Sequence, residues 1–148
     1  MLRGPRSAGF LPAHHAAVRA ALLFVFSTAA FAQQPLIYSR SVYNAASYMP
    51  SGVPGGAIAR GSIFSLFGSN LGPSPAVSAS AFPLGTALGG VSINVVQGSN
   101  TVSAIPLYVS ASQINAIMPS NAPLGLASLQ VVSGYFKSNL APVQIAAK

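Results

Sequence analysis

From Gln33 onward, glycine or proline interrupts the chain every few residues, and the apolar stretches between are short and rich in Val, Ile and aromatics. Each internal proline removes a helical hydrogen bond, and each internal glycine costs a helix about 1 kcal/mol relative to alanine. Long helices are therefore disfavoured throughout 33–148. Short β-branched runs bounded by turn residues predict an all-β sandwich or barrel.

The clearest segment is 91–95, where Val91, Ile93 and Val95 alternate with Ser92 and Asn94. Alternate side chains of a strand point to opposite faces, so the three apolar residues can face a core while the polar pair faces water. Gln97-Gly98-Ser99-Asn100 reads as a turn, and 101–109 as an antiparallel return strand. Pro106 cannot donate to a ladder and marks an edge or a bulge in that return. Segment 62–67 is apolar on both faces, as in a strand buried mid-sandwich, and 113–118 is stopped by Pro119. In 126–132, Leu129 and Val131 oppose Ser128 and Gln130; in 141–146, Val143 and Ile145 oppose Gln144. With a weaker strand at 36–42, this makes about seven strands, the count of an immunoglobulin-like antiparallel β-sandwich. Residues 72–89, with Pro73, Pro75 and Pro83, read as an irregular loop.

Residues 1–32 read as a different kind of segment. Arg3, Arg6 and Arg19 precede an apolar run from Ala20 to Phe31, which closes on Ala30-Phe31-Ala32 before Gln33. A basic start, an apolar core and small residues at −3 and −1 describe a secretory signal peptide, with cleavage between Ala32 and Gln33. The apolar run is about a dozen residues, short of the roughly 20 that span a bilayer. The expected mature module is 33–148, placed outside the cytoplasm: secreted, periplasmic or at the cell surface.

Charge narrows the function. Soluble domains are about 25% charged, whereas this chain is 5% charged and has no Asp, Glu or Cys. Beyond residue 32 the charges are Arg40, Arg60, Lys137 and Lys148, scattered singly. They form no basic stripe of the kind that tracks phosphates, and the expectation is no nucleic-acid partner and no membrane span. With no disulfide to staple it, the fold must hold by packing.

General acid–base work needs a placed His, carboxylate, Lys, Tyr or Cys. Both histidines, His14 and His15, precede residue 33. That removes carboxylate pairs, Ser-His-Asp triads, zinc sites and carboxylate-built calcium cages. What survives is a Ser–Lys arrangement or tyrosine chemistry, and the Ser-x-x-Lys spacing does not occur, since Gly134 stands three residues before Lys137; no catalytic residue, metal or cofactor is expected. The glycine-rich stretch 52–61 lacks the Gly-Lys-Ser/Thr ending of a phosphate loop and reads as a turn-rich connection, with Arg60 a solvated loop charge. Tyr43, Tyr48, Tyr108 and Tyr135 have two readings: a stacking platform for sugars, or half-buried rings that support the sandwich.

Several ordered motifs carry a resemblance. Ser62-Ile63-Phe64-Ser65-Leu66-Phe67-Gly68-Ser69-Asn70-Leu71 resembles the early strand of IPT/TIG immunoglobulin-like domains. Val42-Tyr43-Asn44-Ala45-Ala46-Ser47-Tyr48, Leu88-Gly89-Gly90-Val91-Ser92-Ile93 and Pro106-Leu107-Tyr108-Val109-Ser110-Ala111-Ser112-Gln113-Ile114-Asn115-Ala116-Ile117-Met118-Pro119 resemble a C-terminal module of exported proteins in Solibacter-type Acidobacteria, as does Ser138-Asn139 before the last strand. The resemblance covers about 42–146 and implies an extracellular Ig-like sandwich with no enzymatic role and no established binding residues. In that family a larger exported region usually precedes the block and a second, similar half follows it; the resemblance covers the first half only, which leaves a lone module, a truncated reading frame and a fragment as alternatives.

The resulting expectation is an exported, non-catalytic Ig-like module for adhesion, assembly or glycan contact, meeting a protein or glycan at the cell surface. The alternative is a structural fragment that needs a missing partner half. Strand edges almost free of charged residues leave edge-strand association or self-association open.

Overall fold

Alternation between buried and exposed side chains builds this structure, a computed structural model that describes residues 33–148 together with Gly4 and Gly9. The expected signal segment, including Ala30 and Ala32, lies otherwise outside the described residues. Twelve strands follow in chain order, and there is no helix among the described residues. They are β1 (Leu36–Asn44), β2 (Ile58–Ala59), β3 (Ile63–Ser69), β4 (Val77–Ser78), β5 (Ala87–Leu88) and β6 (Val91–Gln97). After these come β7 (Asn100–Ser103), β8 (Ile105–Val109), β9 (Gln113–Ile117), β10 (Gly125–Ser133), β11 (Phe136–Lys137) and β12 (Ala141–Ala146).

Two sheets result. One has the order β1-β3-β9-β8-β4; the other runs β2-β12-β10-β6-β5, with β11 on β10 and β7 on β6. All ladders are antiparallel except β12 with β2, which is parallel. All seven expected segments are strands. The additional ones are mostly two-residue pieces that sequence periodicity cannot register. Two of these, β4 and β5, tie the stretch 72–89 to one sheet each.

The two sheets enclose one apolar core. Phe64, Leu66, Val109, Ile114 and Ala116 come from the first sheet; Ile93, Val95, Leu129, Val131, Val143 and Ile145 come from the second. Burying one such Leu, Ile or Phe side chain stabilises the fold by about 2 kcal/mol. In β6, β10 and β12 the buried residues alternate as the sequence predicts. Segment 62–67 departs from expectation. Its inner face is buried, but on the outer face Ile63 is 44% exposed and Phe67 only half-buried, so no second layer covers that face in full.

The return strand also differs. It pairs with β6 only through Ser103. Ala104, fully buried with its N–H on the Ile93 carbonyl, then turns the chain across to the first sheet as β8. Pro106 adjoins a register shift in the β8–β9 ladder, so the bulge it marks is present. One strand-like run thus serves both sheets.

Strand edges are guarded, though not by charge. On the outer edge of β1, the Asn139 side chain takes both backbone groups of Ile37. Farther along, Ser51 N–H donates to the Val42 carbonyl and Asn44 N–H to the Met49 carbonyl. The edge strands β2, β4 and β5 have two residues each. Short edges and capped edges both resist pairing with a second chain. Association through these particular edges is thereby disfavoured, against the sequence-based expectation of open edges.

Candidate functional site

The site begins with a break in β1. Ile37 pairs with Gly68 and Val42 with Leu66, so Tyr38, Ser39, Arg40 and Ser41 all stand opposite the single residue Phe67. The surplus residues bulge outward, and Arg40 takes φ +55°. Positive φ is uncommon outside glycine, and bulges re-aim side chains that a regular strand would alternate. Ser41 holds the distortion: its Oγ lies 2.7 Å from both the Tyr38 and the Phe67 carbonyl oxygens. The hydroxyl supplies the ladder contact that the bulge removes.

A second local device brings the chain back over the same face. Asn44 Oδ1 accepts from the N–H groups of Ala46 (2.9 Å) and Ser47 (3.3 Å), while Nδ2 donates to the Ala57 carbonyl (2.8 Å). An asparagine side chain that bonds its own following backbone makes a tight turn. Tyr48, at φ +55°, is thereby returned onto Tyr43, with ring centroids 5.2 Å apart and planes at 22°. Phe67 meets Tyr43 edge-on at 5.7 Å and 77°. Each such aromatic pair is worth about 1 kcal/mol beyond the area it buries.

Tyr43 is half-buried, but Tyr48 is 64% exposed and offers its outer ring face to solvent. Tyr38, half-exposed, joins them around a hollow of about 380 Å³ lined also by Ser39, Ser41 and Phe67. Tyr38, Ser39 and Ser41 are shared with a neighbouring cleft of about 370 Å³. That cleft runs between the β1 bulge and the start of β12, past Arg40, Ser51, Asn139 and Leu140. The cleft is the more enclosed of the two, while the hollow beside the tyrosines is shallow and open to solvent.

Of the four tyrosines singled out by sequence, the structure gathers Tyr43 and Tyr48. Tyr108 lies on the same face of the sheet, in the row Tyr43–Ser65–Asn115–Tyr108. Three strand spacings separate it from Tyr43, roughly 14 Å. Tyr135 is fully exposed at the β10–β11 turn of the other sheet and belongs to neither hollow. Tyr38 and Phe67 complete the cluster; broken alternation in β1 hid the first, and the second read as core. Arg60 is also not a free loop charge, since its Nε donates to the Ala122 carbonyl and secures the turn after β9.

The groups gathered here can stack on a flat apolar face, hydrogen-bond through hydroxyls and hold an anion. No cluster of His, Cys, Asp or Glu able to hold a metal occurs among the described residues. No helix among them is long and apolar enough to cross a membrane.

Fold and site together define an all-β protein of two sheets with an aromatic face and a cationic cleft on one edge. No family model and no curated protein matches the chain. A solved structure from Bacteroides vulgatus, of a candidate bacterial DNA-binding protein, is similar with a TM-score of 0.49 and 13% identity. The match covers 77% of this chain and 48% of that one, so the chain spans about half its length. The expectation of no nucleic-acid partner is withdrawn on charge: scattered cations in a chain without Asp or Glu meet no side-chain carboxylate that would repel phosphate.

Proposed function

We propose that 33–148 is an exported, non-catalytic, immunoglobulin-like module of IPT/TIG type that contacts glycans outside the cell through the Tyr43–Tyr48 face. The observation that carries this reading is the exposed ring of Tyr48, backed by Tyr43 and Phe67. A tyrosine serving only the core would be covered. Here local hydrogen bonds from Asn44 hold an amphipathic ring outward, beside the exposed hydroxyls of Tyr38 and Ser39. Sugar rings present flat C–H faces edged by hydroxyl groups, which suit that combination. The signal-like segment and the resemblance to exported modules support the location, and the absence of Asp, Glu, His and Cys from 33–148 supports a binding role.

The test is a glycan array followed by calorimetry on the best binder, comparing the protein with Tyr48→Ala. Loss of one stacking ring should weaken binding about tenfold. A uniformly blank array, or a Tyr48→Ala protein that binds unchanged, would refute the reading. N-terminal sequencing of protein collected outside the cell should begin at Gln33.

A further inference from the structure

We infer that the glycan taken by this face is a carboxylated one, its carboxylate held by Arg40 in the cleft between β1 and β12. The inference rests on the glycan reading above and sharpens it to an acidic class of sugar.

Three observations converge on Arg40. The bulge gives β1 four residues opposite Phe67 and places Arg40 at φ +55°, lining the cleft. A non-glycine residue in that conformation persists only where its surroundings impose it, and such residues concentrate at binding sites. Next, the chain has no Asp or Glu at all, so no side-chain carboxylate within the protein can neutralise the guanidinium. Cations of ordinary domains commonly find such partners; this one must be matched by solvent, by counter-ions or by a ligand. Finally, the cleft shares Tyr38, Ser39 and Ser41 with the hollow under the tyrosine stack. A ring stacked on Tyr48 therefore has a guanidinium within the same continuous surface, with hydroxyls between.

The chemistry points to a carboxylate on a sugar. Guanidinium matches a carboxylate with two parallel N–H···O bonds, stronger than neutral hydrogen bonds. Stacking surface and hydroxyl groups fit the remainder of a uronic acid residue. An acidic peptide would use the cation but would leave the stacking ring and hydroxyl lining without a matching partner.

Calorimetry on the intact protein separates the claims, using oligogalacturonate and its fully methyl-esterified form, which differ in the charged carboxylates and little else. The acid should bind at least about tenfold more tightly than the ester. Arg40→Asn should bring binding of the acid down to about that of the ester. Asparagine tolerates positive φ, so the bulge is retained, and an unchanged thermal midpoint would verify it. Arg40→Lys should keep part of the preference, because charge survives without the two-pronged geometry. Raising salt to about 0.5 M should narrow the gap between acid and ester. Tyr48→Ala should weaken both ligands alike.

Equal binding of acid and ester would overturn the carboxylate inference and leave the glycan reading standing. Binding of neither, on a background of other glycans bound on the array, would also overturn it alone. A blank array would remove both. Equal, Arg40-dependent capture of polyglutamate or a DNA oligonucleotide would show a general polyanion contact and overturn the assignment to a sugar acid.

Discussion

Asn139 binds Ile37 as a neighbouring strand would: its Oδ1 accepts from the Ile37 N–H at 2.8 Å and its Nδ2 donates to the Ile37 carbonyl at 3.1 Å. One carboxamide thus satisfies both backbone groups of a buried residue on β1, and joins the approach to β12 in one sheet to the edge of the other. Ser138 steadies the amide's backbone. Its Oγ accepts from Val131 N–H and donates to the Asn139 carbonyl, both within 2.8 Å. Asn139→Ala leaves the Ile37 pair without partners, which should cost about 2 kcal/mol. Asn139→Asp keeps an acceptor for the N–H but sets a carboxylate against the Ile37 carbonyl, and should be no better than alanine. Urea denaturation of the three proteins would measure this. An Asp variant as stable as the parent would show that the donor half of the clamp contributes nothing.

How much of this was legible follows from the kind of signal involved. Strands β6, β10 and β12 were readable because a strand with one buried face must alternate, and Val91-Ser92-Ile93-Asn94-Val95 does so without interruption. The switch at Ala104 was not, since 101–109 has one composition throughout and the change of sheet is imposed by Ala104 fitting a buried corner. The aromatic face was half legible. Tyr43 and Tyr48 stand out in the sequence by residue type, but their stacking depends on the Asn44 turn, and the place of Tyr38 depends on a bulge that destroys alternation in β1. The edges misled because charge is only one means of guarding them; here a carboxamide and short strands do it.

Asn44 organises the turn that carries Tyr48, so its replacement should affect optical signals as well as stability. Asn44→Ala removes contacts to Ala46, Ser47 and Ala57, and the loss should cost about 2 kcal/mol. The near-ultraviolet circular dichroism of the Tyr43–Tyr48 pair should fall, and with it binding that uses the exposed ring. Tyr48→Ala should produce the same optical change at a smaller cost in stability. If Asn44→Ala leaves the near-ultraviolet spectrum intact, the stack is maintained by something other than this turn.

Two glycines of different standing give a paired test of packing. A Cβ at Gly68 would collide with the Leu36 carbonyl across the β1–β3 ladder. Both partners are backbone in paired strands, so neither can yield cheaply, and Gly68→Ala should destabilise by about 1–3 kcal/mol. At Gly85 the same atom would meet nothing nearer than 3.6 Å, and no positive φ is required. Gly85→Ala should be neutral or stabilising by about 0.5 kcal/mol, through a less free unfolded chain. Thermal midpoints of the two variants should therefore move in opposite directions or differ plainly in size; equal losses would mean that β1 does not approach β3 this closely.

The dependence of stability on pH should be nearly flat. The slope of unfolding free energy with pH is set by the difference in protons bound by the unfolded and native states. Residues 33–148 contain no Asp, Glu, His or Cys, the side chains that ordinarily titrate between about pH 3 and 9. Neither a raised nor a depressed value of such a group can then favour one state, and only chain termini titrate in that window, an α-carboxyl at its acid end and an α-amine near its alkaline end. Unfolding free energy of protein beginning at Gln33 should vary by less than about 0.5 kcal/mol between pH 5 and 9. Binding of a carboxylated ligand should behave differently. The sugar acid must be ionised to engage Arg40, so affinity should fall as pH drops through the ordinary carboxylate range near 4 while the fold stays intact. A parallel loss of stability over that interval would instead place an unrecognised titrating group within the fold.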